Sequence, residues 1–169
     1  ATKKSLTEAG ISPIKIHQIY NGLDYSYYRQ FKWQGSGNTF KLLYFGRLGV
    51  SKGLDLLLPA WAAFVKAHEQ GCLQLVIPTY PNGLYQTVIQ AIKSLAIPDK
   101  HIEIFHELKR DQLFTLVSKA SAVVIPSYSE GFCFVAAETM AIGTPIISSG
   151  QGALAEVVSG KHVRMNEQN

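Results

Sequence analysis

Two carboxylates and two cations stand at spacings that suit a diphosphate sugar. Arg47 and Lys52 lie in Gly46-Arg47-Leu48-Gly49-Val50-Ser51-Lys52-Gly53, between an apolar strand-like run and a helix-like one. Fixed cations beside the free amides of a helix start suit a diphosphate. The glycine spacing is that of neither a dinucleotide fingerprint nor a Walker loop. Further along, Pro126-Ser127-Tyr128-Ser129-Glu130-Gly131-Phe132-Cys133-Phe134 again joins a strand-like run to a helix. Gly131 permits a tight turn, so the amides of Phe132 and Cys133 can point at an anion. Glu138 lies on that helix, roughly 10 Å along at 1.5 Å per residue. That is about the span of a nucleoside diphosphate sugar, so one carboxylate would meet sugar hydroxyls and the other ribose hydroxyls. Plainer roles exist for each. Arg47 and Lys52 also suit solvated loop positions, and Glu130 suits a helix N-terminus, where a negative charge contributes about 0.3–1 kcal/mol. Glu138 sits among Val135, Ala136, Ala137, Met140 and Ala141, a stretch that reads as buried, and a buried carboxylate needs a partner.

The elements that must hold these residues alternate. Lys41 to Phe45, Leu73 to Ile77, Ile102 to Phe105, Ala122 to Ile125 and Pro145 to Ser148 read as strands. Leu54 to His68, Leu84 to Leu95, Arg110 to Lys119 and Phe132 to Ala141 read as helices, with Ala153 to Val158 a short one. Pro59 predicts a kink or late start in the first of these helices. Strands alternating with helices predict an α/β domain, a parallel sheet covered on both faces, whose ligands bind beyond the carboxyl ends of the strands. Ahead of this, Lys4 to Ala9 reads as a turn or two of helix and Ile14 to Ile19 as a strand. Residues 24–39 read as a linker with a flexible tip at Gln34 to Asn38.

The chain has 169 residues with 16 Lys+Arg and 12 Asp+Glu, a net charge of +4, and 47% apolar content. Such a composition excludes a disordered chain and provides for one real core. Two cysteines, Cys72 and Cys133, make no disulfide scaffold, and no Cys/His cluster has zinc spacing. The longest uncharged stretch, Gly71 to Ile92, carries Pro78, Pro81 and Asn82 and does not read as a membrane span. With no signal segment in view, a cytoplasmic protein is expected. Residues 1–50 hold seven Lys/Arg against two acids, interleaved with Tyr20, Tyr25, Tyr27, Tyr28, Phe31 and Trp33. That pattern suits single-stranded nucleic acid, but the surplus is small and no nucleic-acid signature accompanies it. No nucleic-acid partner is expected; an acidic lipid surface suits the same charge.

Taken together, these segments resemble a known signature. Glu130-Gly131-Phe132, then Glu138, then Met140-Ala141-Ile142-Gly143-Thr144-Pro145-Ile146-Ile147-Ser148-Ser149 is similar to the pattern of retaining glycosyltransferases of family 4 (glycosyl transferases group 1), which have the two-domain GT-B fold. Gly46-Arg47-Leu48 with Lys52-Gly53 resembles that family's diphosphate-contacting loop. Tyr20-Asn21-Gly22-Leu23-Asp24 resembles its interdomain connector, and Ala153 to Val158 the short element after the next strand.

The resemblance implies a Rossmann-like domain forming the C-terminal, donor-binding half of a GT-B enzyme. Residues 1–38 would be the end of the N-terminal domain and the connector, and 39–169 the donor domain. An acceptor-binding domain is expected ahead of residue 1, and the family's final helix beyond Asn169. By motif position Gly46, Arg47 and Lys52 would contact the donor phosphates, and Glu130 the sugar hydroxyls. The amides of Phe132 and Cys133 would lie near the phosphate–sugar junction, Gly131 and Phe134 would also belong to the donor site, and Glu138 would hold the ribose. His106 to Arg110 would line the base pocket, with Leu108 its apolar wall. Catalysis would rest on Glu130, Arg47 and Lys52 with no metal and no cofactor, because departure of a nucleoside diphosphate builds negative charge that fixed cations stabilise. The family retains anomeric configuration, attributed to front-face attack in which the donor phosphate helps take the acceptor proton. Glu130 is then a donor-positioning group rather than a nucleophile. The acceptor would be a glycan or a lipid-linked one, with the protein peripheral at the inner face of the membrane. Cys133 departs from the family's usual Gly and reads as a small buried residue. His106 also suits a strand cap, His17 a structural role, and Tyr80-Pro81-Asn82-Gly83 a rim loop touching ligand. A hydrolase or epimerase on the same scaffold, and a non-catalytic nucleotide-sugar sensor, are the alternatives.

Overall fold

The computed structural model describes residues 2–79, 83–158 and 162–164. Six parallel strands form one sheet: β1 (Phe40–Phe45), β2 (Gly71–Val76), β3 (Ile102–Phe105), β4 (Ala122–Ile125), β5 (Ile146–Ser148) and β6 (His162–Arg164). Their order is β3-β2-β1-β4-β5-β6. Helices α1 (Thr2–Glu8) and α2 (Tyr25–Tyr28) precede the sheet. Helices α3 (Leu54–Ala67), α4 (Leu84–Ser94), α5 (Arg110–Lys119), α6 (Phe134–Ile142) and α7 (Leu154–Val157) are interleaved with the strands.

Alternation along the strands sends side chains to two separate cores. Leu42 and Tyr44 of β1 and Val124 of β4 join Leu57, Leu58 and Trp61 of α3 and Val88 and Ile92 of α4. Leu43, Phe45, Val123 and Ile125 join Tyr28, Phe114, Val117, Ala136 and Leu154 on the opposite face. The sheet is thus covered on both sides, as the alternating pattern predicts.

Several expectations need correction. The segment around Ile14 is a 3-10 turn, Pro13–Lys15, and not a strand. Ile14 and Ile19 are 82% and 89% exposed, so the apolar–polar alternation there meets no sheet edge to pair with. The tip of the linker is fastened down rather than free. Trp33 Nε1 donates to Ala120 O at 2.9 Å, its amide donates to Ile142 O at 3.1 Å, and Gln34 N donates to Ser118 O at 2.8 Å. Helix α3 is continuous through Pro59, which faces solvent. Helix α6 begins at Phe134, not Phe132, because Cys133 takes a left-handed conformation at φ 70° and the chain is still turning there. Strand β6 carries no pattern long enough to read. Of the rim segment, Tyr80, Pro81 and Asn82 lie outside the described residues. Among the described residues no helix is long and apolar enough to cross a membrane.

Candidate functional site

From β1 the chain moves to β2 and β3 on one side, and from β4 to β5 and β6 on the other. The sheet therefore reverses direction between β1 and β4, paired at Leu42 with Ala122 and Leu43 with Val123. Loops leaving the carboxyl ends of two such strands part from each other and open a crevice. The loop after β1 carries Gly46, Arg47 and Lys52; the loop after β4 carries Glu130, Gly131 and Phe132.

Close backbone contact fixes the two loops against each other. Gly53 has φ 70°, and a Cβ there would stand 2.1 Å from the carbonyl oxygen of Pro126. Tyr128 N donates to Ser51 O at 2.9 Å, and the Tyr128 hydroxyl donates to Asp55 Oδ2 at 2.8 Å. Across this seam Lys52 Nζ meets Glu130 Oε1 at 2.8 Å, with side chains 21% and 12% exposed. Glu130 is held from behind as well. Its carbonyl accepts from Ala153 N at 3.2 Å, and Gly152, at φ 59°, passes so close that a Cβ would sit 3.1 Å from that oxygen.

A cavity of about 320 Å³ opens here, lined by Gly46, Arg47, Lys52, Glu130, Phe132, Cys133 and Phe134, with Tyr44, Ser127 and Val135 among its other walls. Gly131 lines an adjoining hollow with Asn21 and Glu156. The first amides of α6 have no acceptor within the helix, so this cavity combines two cations, a carboxylate and the positive end of a helix. Such a set can bind a diphosphate and stabilise its departure, while Glu130 can accept hydrogen bonds from a neutral hydroxylated group. Cys133 holds its left-handed φ with a side chain, a conformation costing about 1–2 kcal/mol outside glycine. Burial pushes its thiol up to about 11, which keeps it protonated and unreactive.

Glu138 stands apart from this cavity. Its Oε1 accepts from the Tyr28 hydroxyl at 2.7 Å, and the Tyr28 hydroxyl oxygen in turn accepts from Arg110 Nη2 at 2.6 Å. Burial raises the pKa of Glu138, and the Tyr28 hydrogen bond and the Arg110 charge oppose the rise. The Arg110 guanidinium also lies 4.2 Å from the centre of the Tyr27 ring.

The segment from His106 to Arg110 does not gather into one pocket. His106 Nδ1 pairs with Ile77 O at 2.9 Å and its Nε2 with the Tyr85 hydroxyl at 3.3 Å, the arrangement of a strand cap. Glu107 turns the chain through φ 51°. Leu108 then faces a shallow hollow of about 330 Å³ with Phe105, Asp111 and Leu116, while Arg110 is drawn to the aromatic faces of α2. Sequence reasoning missed Tyr28, whose hydroxyl joins Arg110 to Glu138. In the sequence Tyr28 stands only as one of an aromatic run from Tyr25 to Trp33, which reads as packing. Among the described residues no group of three or more His, Cys, Asp or Glu could hold a metal ion.

Comparison with known proteins agrees with this arrangement. The family model described as "Glycosyl transferases group 1" matches residues 29–164. The MMP alpha-(1->4)-mannosyltransferase of Mycolicibacterium hassiacum is 33% identical over 154 residues, 90% of this chain and 36% of that protein. A D-inositol 3-phosphate glycosyltransferase of Acidothermus cellulolyticus is 32% identical over 123 residues, 69% of this chain and 27% of that protein. The chain thus spans about a third of the length of these relatives. Among solved structures, a glycosyltransferase from Rickettsia africae superposes with TM-score 0.81 at 20% identity, over 98% of this chain and 48% of that one. Anabaena HepE in complex with UDP and glucose superposes with TM-score 0.77 at 22% identity, over 97% and 47%. The sheet order, the loops that meet at its reversal and the extent of the family match lead to one assignment: the chain belongs to the glycosyl transferases group 1 family and has the fold of the C-terminal half of a GT-B enzyme.

Proposed function

We propose that this chain is the donor-binding half of a retaining hexosyltransferase of family 4, passing a sugar from a nucleoside diphosphate to a glycan or lipid-linked acceptor. The observation that carries the proposal is the Lys52–Glu130 pair spanning the crevice where the sheet reverses, with Arg47 on the same cavity wall. In this reading Arg47 and Lys52 neutralise the diphosphate, and the charge that grows on its bridging oxygen is met by cations already in place, at no reorganisation cost. Glu130 then exchanges its partner, from the Lys52 ammonium to donor-sugar hydroxyls. Glu138 holds the ribose. No metal or cofactor takes part, since the cations do the neutralising.

The relatives support the reading through their names, a mannosyltransferase and inositol 3-phosphate glycosyltransferases, and HepE through its complexes with UDP and UDP-glucose. A separate domain presents the acceptor, so this chain alone binds donor and transfers nothing. The enzyme works in the cytoplasm, peripheral at the inner face of the membrane.

A thermal-shift panel of UDP-, GDP- and ADP-sugars, with NAD as control, tests the donor assignment. At 100 times its dissociation constant a ligand stabilises by about 2.7 kcal/mol. At least one nucleotide sugar is expected to raise the melting temperature and NAD to leave it unchanged; stabilisation by NAD alone defeats the reading. In the longer protein, NMR of the product gives the anomer: retention is expected, and inversion or release of free sugar refutes it.

A further inference from the structure

Tyr28 comes from α2, ahead of the sheet, yet its ring is only 2% exposed and lies against Phe114 of α5, with ring centres 4.9 Å apart. Packing alone would be served equally by phenylalanine. The hydroxyl is what needs explaining. It donates to one oxygen of Glu138 at 2.7 Å and accepts from Arg110 at 2.6 Å, so its single proton is committed to the carboxylate. Arg110 in turn is held by the rings of Tyr27 at 4.2 Å and Tyr28 at 5.2 Å, and Tyr27 donates its own hydroxyl proton to Asp111. Of the elements packed against α6, α2 supplies Tyr28 and α5 supplies Arg110 as the groups acting on Glu138. Among the described residues Glu138 thus has one oxygen fixed by Tyr28 and no hydrogen-bond donor on the other.

We propose that Tyr28 is a positioning residue for the ribose. Through its hydroxyl, the connector helix α2 orients Glu138 and keeps it ionised, leaving the second carboxylate oxygen to a ribose hydroxyl. The inference rests on the assignment of Glu138 to the ribose given above. Its physical basis is that burial favours the protonated, poorly accepting carboxyl, while the Tyr28 proton and the Arg110 charge favour the carboxylate. Without the hydroxyl, Glu138 keeps its burial and loses its nearest donor.

The test uses the 169-residue chain and measures dissociation constants by calorimetry for UDP, GDP and ADP, each against its 2′,3′-dideoxy counterpart. Native protein is expected to prefer the ribose form of the nucleotide it binds. Tyr28→Phe is expected to lose about tenfold of that preference, the equivalent of about 1.4 kcal/mol, with dideoxynucleotide affinity held within twofold. A second readout is the pH profile. As pH falls the preference disappears when Glu138 takes up a proton, and in Tyr28→Phe it is expected to disappear at a higher pH than in the native chain. Preference retained within twofold, or equal weakening toward both nucleotides, overturns the proposal, since a packing role would affect both alike. If native protein binds both forms equally, the assignment of Glu138 fails and takes this inference with it, while the diphosphate assignment stands. If it binds no nucleotide, the donor site itself is refuted. If Tyr28→Phe does not fold, Arg110→Met, which removes the group holding the hydroxyl, is read by the ribose preference and its pH profile alone: a reduced preference that disappears at a higher pH is expected, and an unchanged preference overturns the proposal.

Discussion

Lys52 and Glu130 each serve the other while no donor is bound, and that shapes what their substitution does. Lys52→Met leaves a carboxylate that is 12% exposed without its partner, at a cost of about 1–3 kcal/mol. In the proposed reading it also removes a phosphate cation. Glu130→Gln in the same chain relieves the stranded charge but restores no cation. Denaturant unfolding of the two single variants and the double variant is therefore expected to show recovered stability in the double, with nucleotide affinity still at least tenfold down. Recovery of both together would mean that Lys52 touches no phosphate. These two residues, with Arg47, were legible in the sequence because each sits at a break between two local periodicities. A strand ending, a glycine and a helix beginning is a short-range signal. Tyr28 was not legible, because its hydroxyl acquires meaning only from Arg110 and Glu138, 82 and 110 positions away. The setting of Leu108 was not legible for a related reason. The left-handed turn at Glu107, a residue that favours no such conformation, redirects the side chains that follow it.

At the scale of elements, the site depends on how closely two loops approach. Gly53 is both the left-handed cap of α3 and the point where the first loop touches Pro126. A methyl group 2.1 Å from the Pro126 carbonyl cannot be accommodated by a side-chain rotation, since the obstacle is backbone. Gly53→Ala is expected to separate the loops and destabilise the fold by at least about 2 kcal/mol. It should also weaken nucleotide binding more than a substitution of equal thermodynamic cost on the α4 surface. Urea unfolding and calorimetry on the same preparations check both parts. The elements themselves followed closely from pattern: β3, α5 and β4 begin and end where their periodicity predicts. The exceptions were places where another part of the chain decides. An apolar–polar alternation at Ile14 to Ile19 finds no strand to pair with, and residues 33 and 34 are ordered by acceptors on α5 and α6 that no local reading contains.

For the whole molecule, the reversal of the sheet between β1 and β4 has a consequence for how the protein comes apart. The first half of the fold, β1 to β3, owns Arg47 and Lys52; the second, β4 to β6, owns Glu130 and Glu138. Among the described residues the two halves are joined within the sheet by the β1–β4 pairing, Leu42 with Ala122 and Leu43 with Val123, residues 80 positions apart. Closing so long a loop contributes a large entropic cost before any pairing offsets it, so the central seam is expected to form with the sheet as a whole rather than ahead of it. The cations and the carboxylate that line the cavity come from different halves, so a partly folded chain holds only part of the proposed nucleotide site. Recognition is then lost in the same step as the sheet: in a denaturant titration, the loss of nucleotide binding and the loss of far-ultraviolet circular dichroism are expected to share one midpoint. In the proposed reading the nucleotide acts as a clasp across the seam, and the backbone amides of the β1–β4 pairing, that of Leu43 among them, should show the largest slowing of hydrogen exchange on nucleotide binding.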